Sequence, residues 1–233
     1  MARLARVVVP DLPHHITQRG NRRQPVFFED SDYRRYLELI GEAARRSGTA
    51  VWSYCLMPNH VHFIMVPSHA DGLRATFAEA HRRYTRHVNA RFGWTGHLWQ
   101  GRFSSSVMDG RHLLAALRYV ALNPVRAKLA ATASAWPWSS ARAHMTGKGD
   151  GLVEMAGVLD LTGDFAAFLD EAADPDAVAG LRGAYSTGRP VGATDWIAAL
   201  EAQAGRALAP AKRGPKPRRT EPGGGDLFRK LSP

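Results

Sequence analysis

The chain has 233 residues, 45% of them apolar, and a formal net charge of +10; it can bury one substantial domain with at most a small appendage, and its basicity points to a polyanionic partner. No run is long and apolar enough to span a bilayer, and the basic N-terminal stretch lacks the apolar core and cleavage site of a signal peptide. With Cys55 as the single cysteine an internal disulfide is excluded, and a reducing, cytoplasmic setting is expected.

Residues 1–19 read as an extended lead-in, with a proline break followed by "HHITQRG", a strand that stops at the turn signal Gly20-Asn21. "FFEDSDYRRYLELIGEAARRSG" reads as a helix capped by Asp30, Ser31 or Asp32 and stopped by Gly48. "TAVWSYCLMP" and "HVHFIMVP" are two β-favouring runs joined at Pro58-Asn59, a hairpin pattern. A second helix is expected from about Asp71 to Gly93, a strand over "HLWQGRFSSSVMD", and a third helix over "GRHLLAALRYVALNP" that ends at Asn123-Pro124. "WPWSSARAH" is a short element after it. The order β, α, β, β, α, β, then helix implies an α+β fold over residues 1–149. It is a ferredoxin-like split βαβ arrangement with an antiparallel sheet and helices on one face.

Charge divides the chain further. Residues 1–149 hold 21 Lys/Arg against 9 Asp/Glu, residues 150–203 hold 2 against 10, and residues 204–233 hold 8 against 2. Residues 150–209 therefore read as an acidic helical extension, and residues 210–233 as a basic tail expected to be disordered. The basic body and tail are the parts expected to meet nucleic acid.

Three groups of residues can carry chemistry. His60 and His62 stand two apart in a strand, so both rings lie on one face, where they can hold a metal or form a polar pair. Mg²⁺ and Mn²⁺ favour oxygen donors, so a further ligand must come from elsewhere. Tyr119 and Asn123 are four apart in the third helix and share a face, flanked by Arg118 and Arg126. A helical tyrosine is either a half-buried core aromatic or, if placed in line with a phosphate whose charge is offset, a nucleophile. The third group is basic and aromatic: Arg82, Arg83, Arg86, Arg91 and Arg102 with Tyr84, Phe92, Trp94, Trp99 and Phe103, joined by Arg19, Arg22 and Arg23 beside Gly20. Arginines bind phosphates and aromatic rings stack on unpaired bases; Lys212 and Arg213 add charge in the tail.

"HHITQRGNRRQPVFF", "CLMPNHVHFIMVP", "HLWQGRF" and "YVALNPVRA" occur in that order, and over roughly residues 1–145 the chain resembles the single-tyrosine HUH transposases, above all the REP-associated tyrosine transposases. The tail resembles the C-terminal extension of that group. The resemblance implies that His60 and His62 bind Mg²⁺ or Mn²⁺. It implies that Tyr119 attacks a phosphodiester of single-stranded, hairpin-forming DNA, giving a 5′-phosphotyrosine link and a free 3′-OH. It places Asn123 where related transposases carry a glutamine as third metal ligand. It also implies a cytoplasmic, nucleoid-associated protein without membrane contact. The site is completed either within one chain or across a homodimer that exchanges the tyrosine helix. Two other readings compete: a non-catalytic DNA-binding protein or repressor derived from a transposase, and a metal-dependent hydrolase. For the latter no carboxylate-rich cluster is visible, and Asp109 reads as a helix cap.

Overall fold

The computed structural model describes residues 6–209. Strand β1 (His14–Arg19), helix α1 (Asp30–Arg46), strands β2 (Thr49–Met57) and β3 (His60–Pro67), helix α2 (Gly72–Phe92) and strand β4 (Ser104–Val107) follow in chain order. The strands form one sheet in the order β2-β3-β1-β4, each neighbouring pair antiparallel. This is the split βαβ arrangement expected from the sequence.

Alternation along β3 separates two environments. Val61, Phe63 and Met65 join Ile16, Tyr36, Leu39, Phe77 and Tyr84 in a core between the sheet and helices α1 and α2. Each such fully buried side chain contributes roughly 1.5–3 kcal/mol. Ile64, on the opposite face, packs with Cys55 and with Leu113, Leu117 and Val120 of α3 (Gly110–Ala121). The α1/α2 pair therefore covers one face, as the split βαβ pattern requires, and α3 covers the other. His60 and His62 fall on the α3 face by the same alternation.

Local differences from the sequence expectation have physical causes. The cap of α1 is Glu29, not one of the three residues after it; Asp32 closes a capping box with it. The fourth strand is only four residues long, because Gly96 and Gly101 take positive φ values of 88° and 62° and turn the preceding "HLWQGRF" into a loop. Helix α3 ends at Ala121, and a separate short turn, α4 (Asn123–Arg126), restarts with Pro124 in its first turn. Tyr119 and Asn123 thus do not share one helix face, although they remain close in sequence. Asp109 caps α3, accepting from the His112 backbone N–H at 2.9 Å.

Beyond α5 (Ala141–Thr146) the acidic segment forms α6 (Ala156–Thr162), α7 (Phe165–Asp170), α8 (Pro175–Thr187) and α9 (Thr194–Ala204). Val158, Phe165, Phe168, Leu169, Ala177 and Leu181 bury their side chains in the α3-side cluster. Gly180 brings α8 close to α3: a Cβ there would lie 3.2 Å from His112 Nε2. Among the described residues no helix is long and apolar enough to cross a membrane. The basic tail, with Lys212 and Arg213, lies outside the described residues.

Candidate active site

His60 and His62 are held by different neighbours. The Asn59 amide donates through Nδ2 to Arg23 O at 2.9 Å, which fixes its orientation, and its Oδ1 accepts from His60 Nδ1 at 2.6 Å. That bond leaves His60 Nε2 with a free lone pair. His62 Nδ1 lies 3.0 Å from His15 Nε2, with the two rings stacked at 5.3 Å between centroids. When His62 is the donor in this bond, its Nε2 is likewise free. Burial, aided by the charge of Arg19, lowers the His60 pKa to about 4. Burial also holds His62 well below its ordinary value, with the nearby His15 and His60 rings adding to the effect. Both imidazoles are therefore neutral near pH 7, the form that ligates metal.

Asn123 is buried and its Nδ2 has no hydrogen-bond partner among the described residues. A buried, unsatisfied amide is costly and calls for an explanation. Its turn packs against β2, whose Cys55 and Met57 pair with His62 and His60. Among the described residues no three His, Cys, Asp or Glu side chains converge as a metal cluster. Two neutral imidazoles, each able to offer one ring nitrogen, fit a divalent cation that takes nitrogen together with oxygen donors; the unsatisfied Asn123 Nδ2 is an N–H donor, so a metal contact by this side chain would have to use its oxygen.

Tyr119 comes to the same place from α3. Its ring centroid is 5.7 Å from that of His62 and 6.4 Å from that of His15, all within one chain. It is half-buried, not sealed in the core. Arg126 stacks over the Tyr119 ring at 4.2 Å and donates to the Tyr119 carbonyl at 2.5 Å. Burial depresses the pKa of that guanidinium, which nonetheless stays charged.

Two further residues, absent from the sequence reading, enter from α8. Arg182 lies 5.9 Å from the Tyr119 ring centre. Tyr185 packs edge-on to His15 at 5.3 Å and contacts His62 at 6.2 Å and Tyr119 at 6.3 Å. Its hydroxyl is buried without a hydrogen bond of ordinary geometry among the described residues. Burial, then the neighbouring Tyr119, pushes that phenol above its usual range. Its backbone is tied to β4, where Ser104 Oγ donates to Tyr185 O at 2.9 Å. The periodicity of α8 offered no sign of this, since its site-facing residues are set by docking onto α3. His15 carried a weak signal: Ile16 faces the core, so its neighbour must face the histidine pair.

The basic residues divide. Arg19, Arg22 and Arg23 are exposed at the end of β1, and Arg19 pairs in register with His60. Arg22 and Arg23 take left-handed φ values of 53° and 62°. Arg82 and Arg86 are exposed on α2, Arg102 is exposed before β4, and Arg83 ties α2 to α1 through Glu42. Arg118 is not a free cation for DNA: it is 7% exposed and donates to Phe168 O at 2.6 Å and to Glu171 Oε2 at 2.8 Å. It anchors the extension because its position on α3 faces α7.

Residues 8–123 match the family model described as transposase IS200-like. In fold the chain is similar to a REP-associated tyrosine transposase solved bound to a REP hairpin, with 19% identity, 75% of this chain and 93% of that one covered, and a TM-score of 0.56. A candidate transposase from Deinococcus radiodurans R1 also matches, at 21% identity, 45% and 84% coverage and a TM-score of 0.35. No curated protein matches the chain in sequence.

Proposed function

Residues 8–123 belong to the IS200-like transposase family, and from that premise we propose that the chain is a tyrosine strand transferase for single-stranded, hairpin-forming DNA of the REP type. The observation that carries this reading is the approach of the Tyr119 ring to His62 within one chain, at 5.7 Å between centroids. It gives no need for a partner subunit to supply the nucleophile. His60, His62 and Asn123 would hold Mg²⁺ or Mn²⁺, which supplies positive charge against the scissile phosphate. The Tyr119 oxygen loses its proton and bonds to phosphorus. The P–O3′ bond breaks, and O3′ leaves and takes up a proton as a 3′-OH. The 5′-phosphotyrosine keeps the bond energy, so attack by a 3′-OH rejoins a strand without nucleotide hydrolysis. Arg126, beside the nucleophile, offsets charge on the phosphoryl oxygens. Arg19, Arg22 and Arg23, at the histidine end of β1, receive the backbone on either side of that phosphate.

A labelled hairpin oligonucleotide incubated with Mn²⁺ or Mg²⁺ is expected to give a covalent protein–DNA adduct that is lost in Tyr119→Phe. Cleavage that persists in this variant overturns the nucleophile assignment. Binding that ignores chelator, with no adduct in the wild-type chain, favours the non-catalytic DNA-binding reading.

A further inference from the structure

Helix α8 brings a second cation to Tyr119. Arg126 lies over the Tyr119 ring at 4.2 Å and Arg182 at 5.9 Å, and neither makes an ion pair among the described residues. We propose that Arg182 is a catalytic residue: with Arg126 it makes an anion site at Tyr119 that holds the phosphoryl oxygens while the strand is transferred. The anion site stands on geometry; its catalytic role deepens the strand-transferase reading and rests on it.

The place of Arg182 is set by how α8 is fastened. Asp174 caps the helix, accepting through Oδ1 from Asp176 N at 3.1 Å and Ala177 N at 3.0 Å. Its Oδ2 accepts from Arg111 Nε at 2.7 Å, which ties the first turn of α8 to the first turn of α3. At the other end Ser104 Oγ of β4 donates to Tyr185 O at 2.9 Å. Leu181, between the two ties, is buried in the α3-side cluster. Tyr185 is four residues on, so both lie on the face of α8 that docks. Arg182 follows Leu181 and falls at the edge of that face, where it is exposed. Its stem can lie along the joint while its charged end stays in solvent beside Tyr119.

The chemistry of the joint selects the ligand. Helices α3 and α8 enclose a cleft of about 220 Å³, with Leu122 and Val178 as apolar walls and Tyr119, Arg126 and Arg182 beside them. The carboxylate among its described lining residues, Asp174, is already taken up by Arg111 and two backbone N–H groups. Arg118, which also lines it, is engaged by Phe168 O and Glu171. Arg126 and Arg182 are thus left to repel each other. Burial lowers the Arg126 pKa, and the like charge of Arg182 adds to the effect. An anion that meets both guanidinium groups relieves that repulsion. The cleft is smaller than the usual site for a whole small-molecule ligand, which suits a single phosphate group, and the guanidinium fork matches its oxygens. In the step at Tyr119 the phenolic oxygen bonds to phosphorus as the P–O3′ bond breaks, and the non-bridging oxygens carry negative charge. Arg182 donates N–H bonds to those oxygens and transfers no proton.

The test uses the full chain with Arg182→Ala and Arg182→Lys, changes at an exposed position. Single-turnover adduct formation with Mn²⁺, at saturating hairpin oligonucleotide, is expected to fall about 100-fold or more in Arg182→Ala, the worth of one preorganised donor. It is expected to return in part in Arg182→Lys. Hairpin affinity, measured by fluorescence anisotropy in chelator, is expected to change little, because the contact strengthens only in the transition state. A rate that is unchanged or raised in Arg182→Ala, or a loss of affinity as large as the loss of rate, overturns the catalytic role. A second measurement needs no DNA: calorimetric titration in chelator with tungstate, a tetrahedral dianion. The wild-type chain is expected to bind it, and Arg182→Ala to bind it about tenfold more weakly or worse. Equal affinity, or no binding by the wild-type chain, overturns the anion site. A wild-type adduct with both measurements indifferent to Arg182 removes this proposal alone. Tungstate binding that needs Arg182, in a chain that never forms an adduct, upholds the anion site and removes the strand-transferase reading together with the catalytic role.

Discussion

His15 is the neighbour whose loss tests the metal reading at the level of single atoms. It holds the His62 ring through a 3.0 Å contact between ring nitrogens, so it selects the nitrogen that His62 presents. Groups of this kind tune metal affinity by about 10–100-fold. His15→Ala is therefore expected to weaken Mn²⁺ binding, followed by calorimetry in the absence of DNA, by at least tenfold; unchanged affinity would remove His15 from the site. Burial also makes these rings acid-sensitive. It lowers His14 and His60 to about 4 and His15 to about 3, against an ordinary value near 6.5. Between those values the unfolded chain binds protons that the folded chain does not. Stability is thus full above pH 6.5 and falls as the pH drops towards 4, by on the order of a few kcal/mol. Thermal unfolding at pH 5 should come at clearly lower temperature than at pH 7, and identical curves would contradict neutral burial. The His60/His62 face was legible from period-two alternation and Tyr119 from its helix. The tautomer-fixing roles of Asn59 and His15 were not, because they depend on distances across strands.

Arg118 shows what happens at the level of the element. From the sequence it stood beside Tyr119 as a cation for DNA, yet one position along a helix is a rotation of about 100°, and that rotation turns it into α7. Its guanidinium, with Phe168 stacked beneath it at 4.2 Å, fills carbonyl acceptors that otherwise lie unsatisfied. Arg118→Met should cost about 2–3 kcal/mol by urea denaturation, the scale of a buried charged hydrogen-bond set, with little change in the salt dependence of DNA binding. A shallower salt slope in a variant of full stability would restore Arg118 to the DNA surface. The strands and helices of the split βαβ unit followed from apolar alternation and from Gly and Pro positions. The break at Leu122 did not, since a proline that ends one helix also starts the next turn, and only packing decides how far the chain swings between them.

The whole molecule separates charge by segment, and the structure gives the acidic segment a place. Its apolar side chains are buried against α3, while Arg111 pairs with Asp174 at 2.7 Å across the joint. The acidic helices thus add to the core beside the tyrosine helix. A cut before residue 209 would expose Leu208, which is fully buried with Val7 and Val107. Removal of residues 210–233 alone takes away seven Lys/Arg and two Asp/Glu. That truncation should leave the melting temperature unchanged and flatten the salt dependence of DNA binding, by about 0.7 in slope for each single-strand phosphate that the tail neutralises in the intact chain. An unaltered slope would mean that the tail does not meet DNA.

The docking of α8 has a consequence for ancestry and for engineering. Arg182 and Tyr185 stand around Tyr119, the proposed nucleophile, yet they lie beyond residues 8–123, where the match to the family ends. A chimera spliced between residues 124 and 174 would inherit the histidines and the tyrosine without the side chains that surround them. Drift in a region with no diagnostic motif can therefore retune the surroundings of Tyr119 while every hallmark of the lineage stays intact.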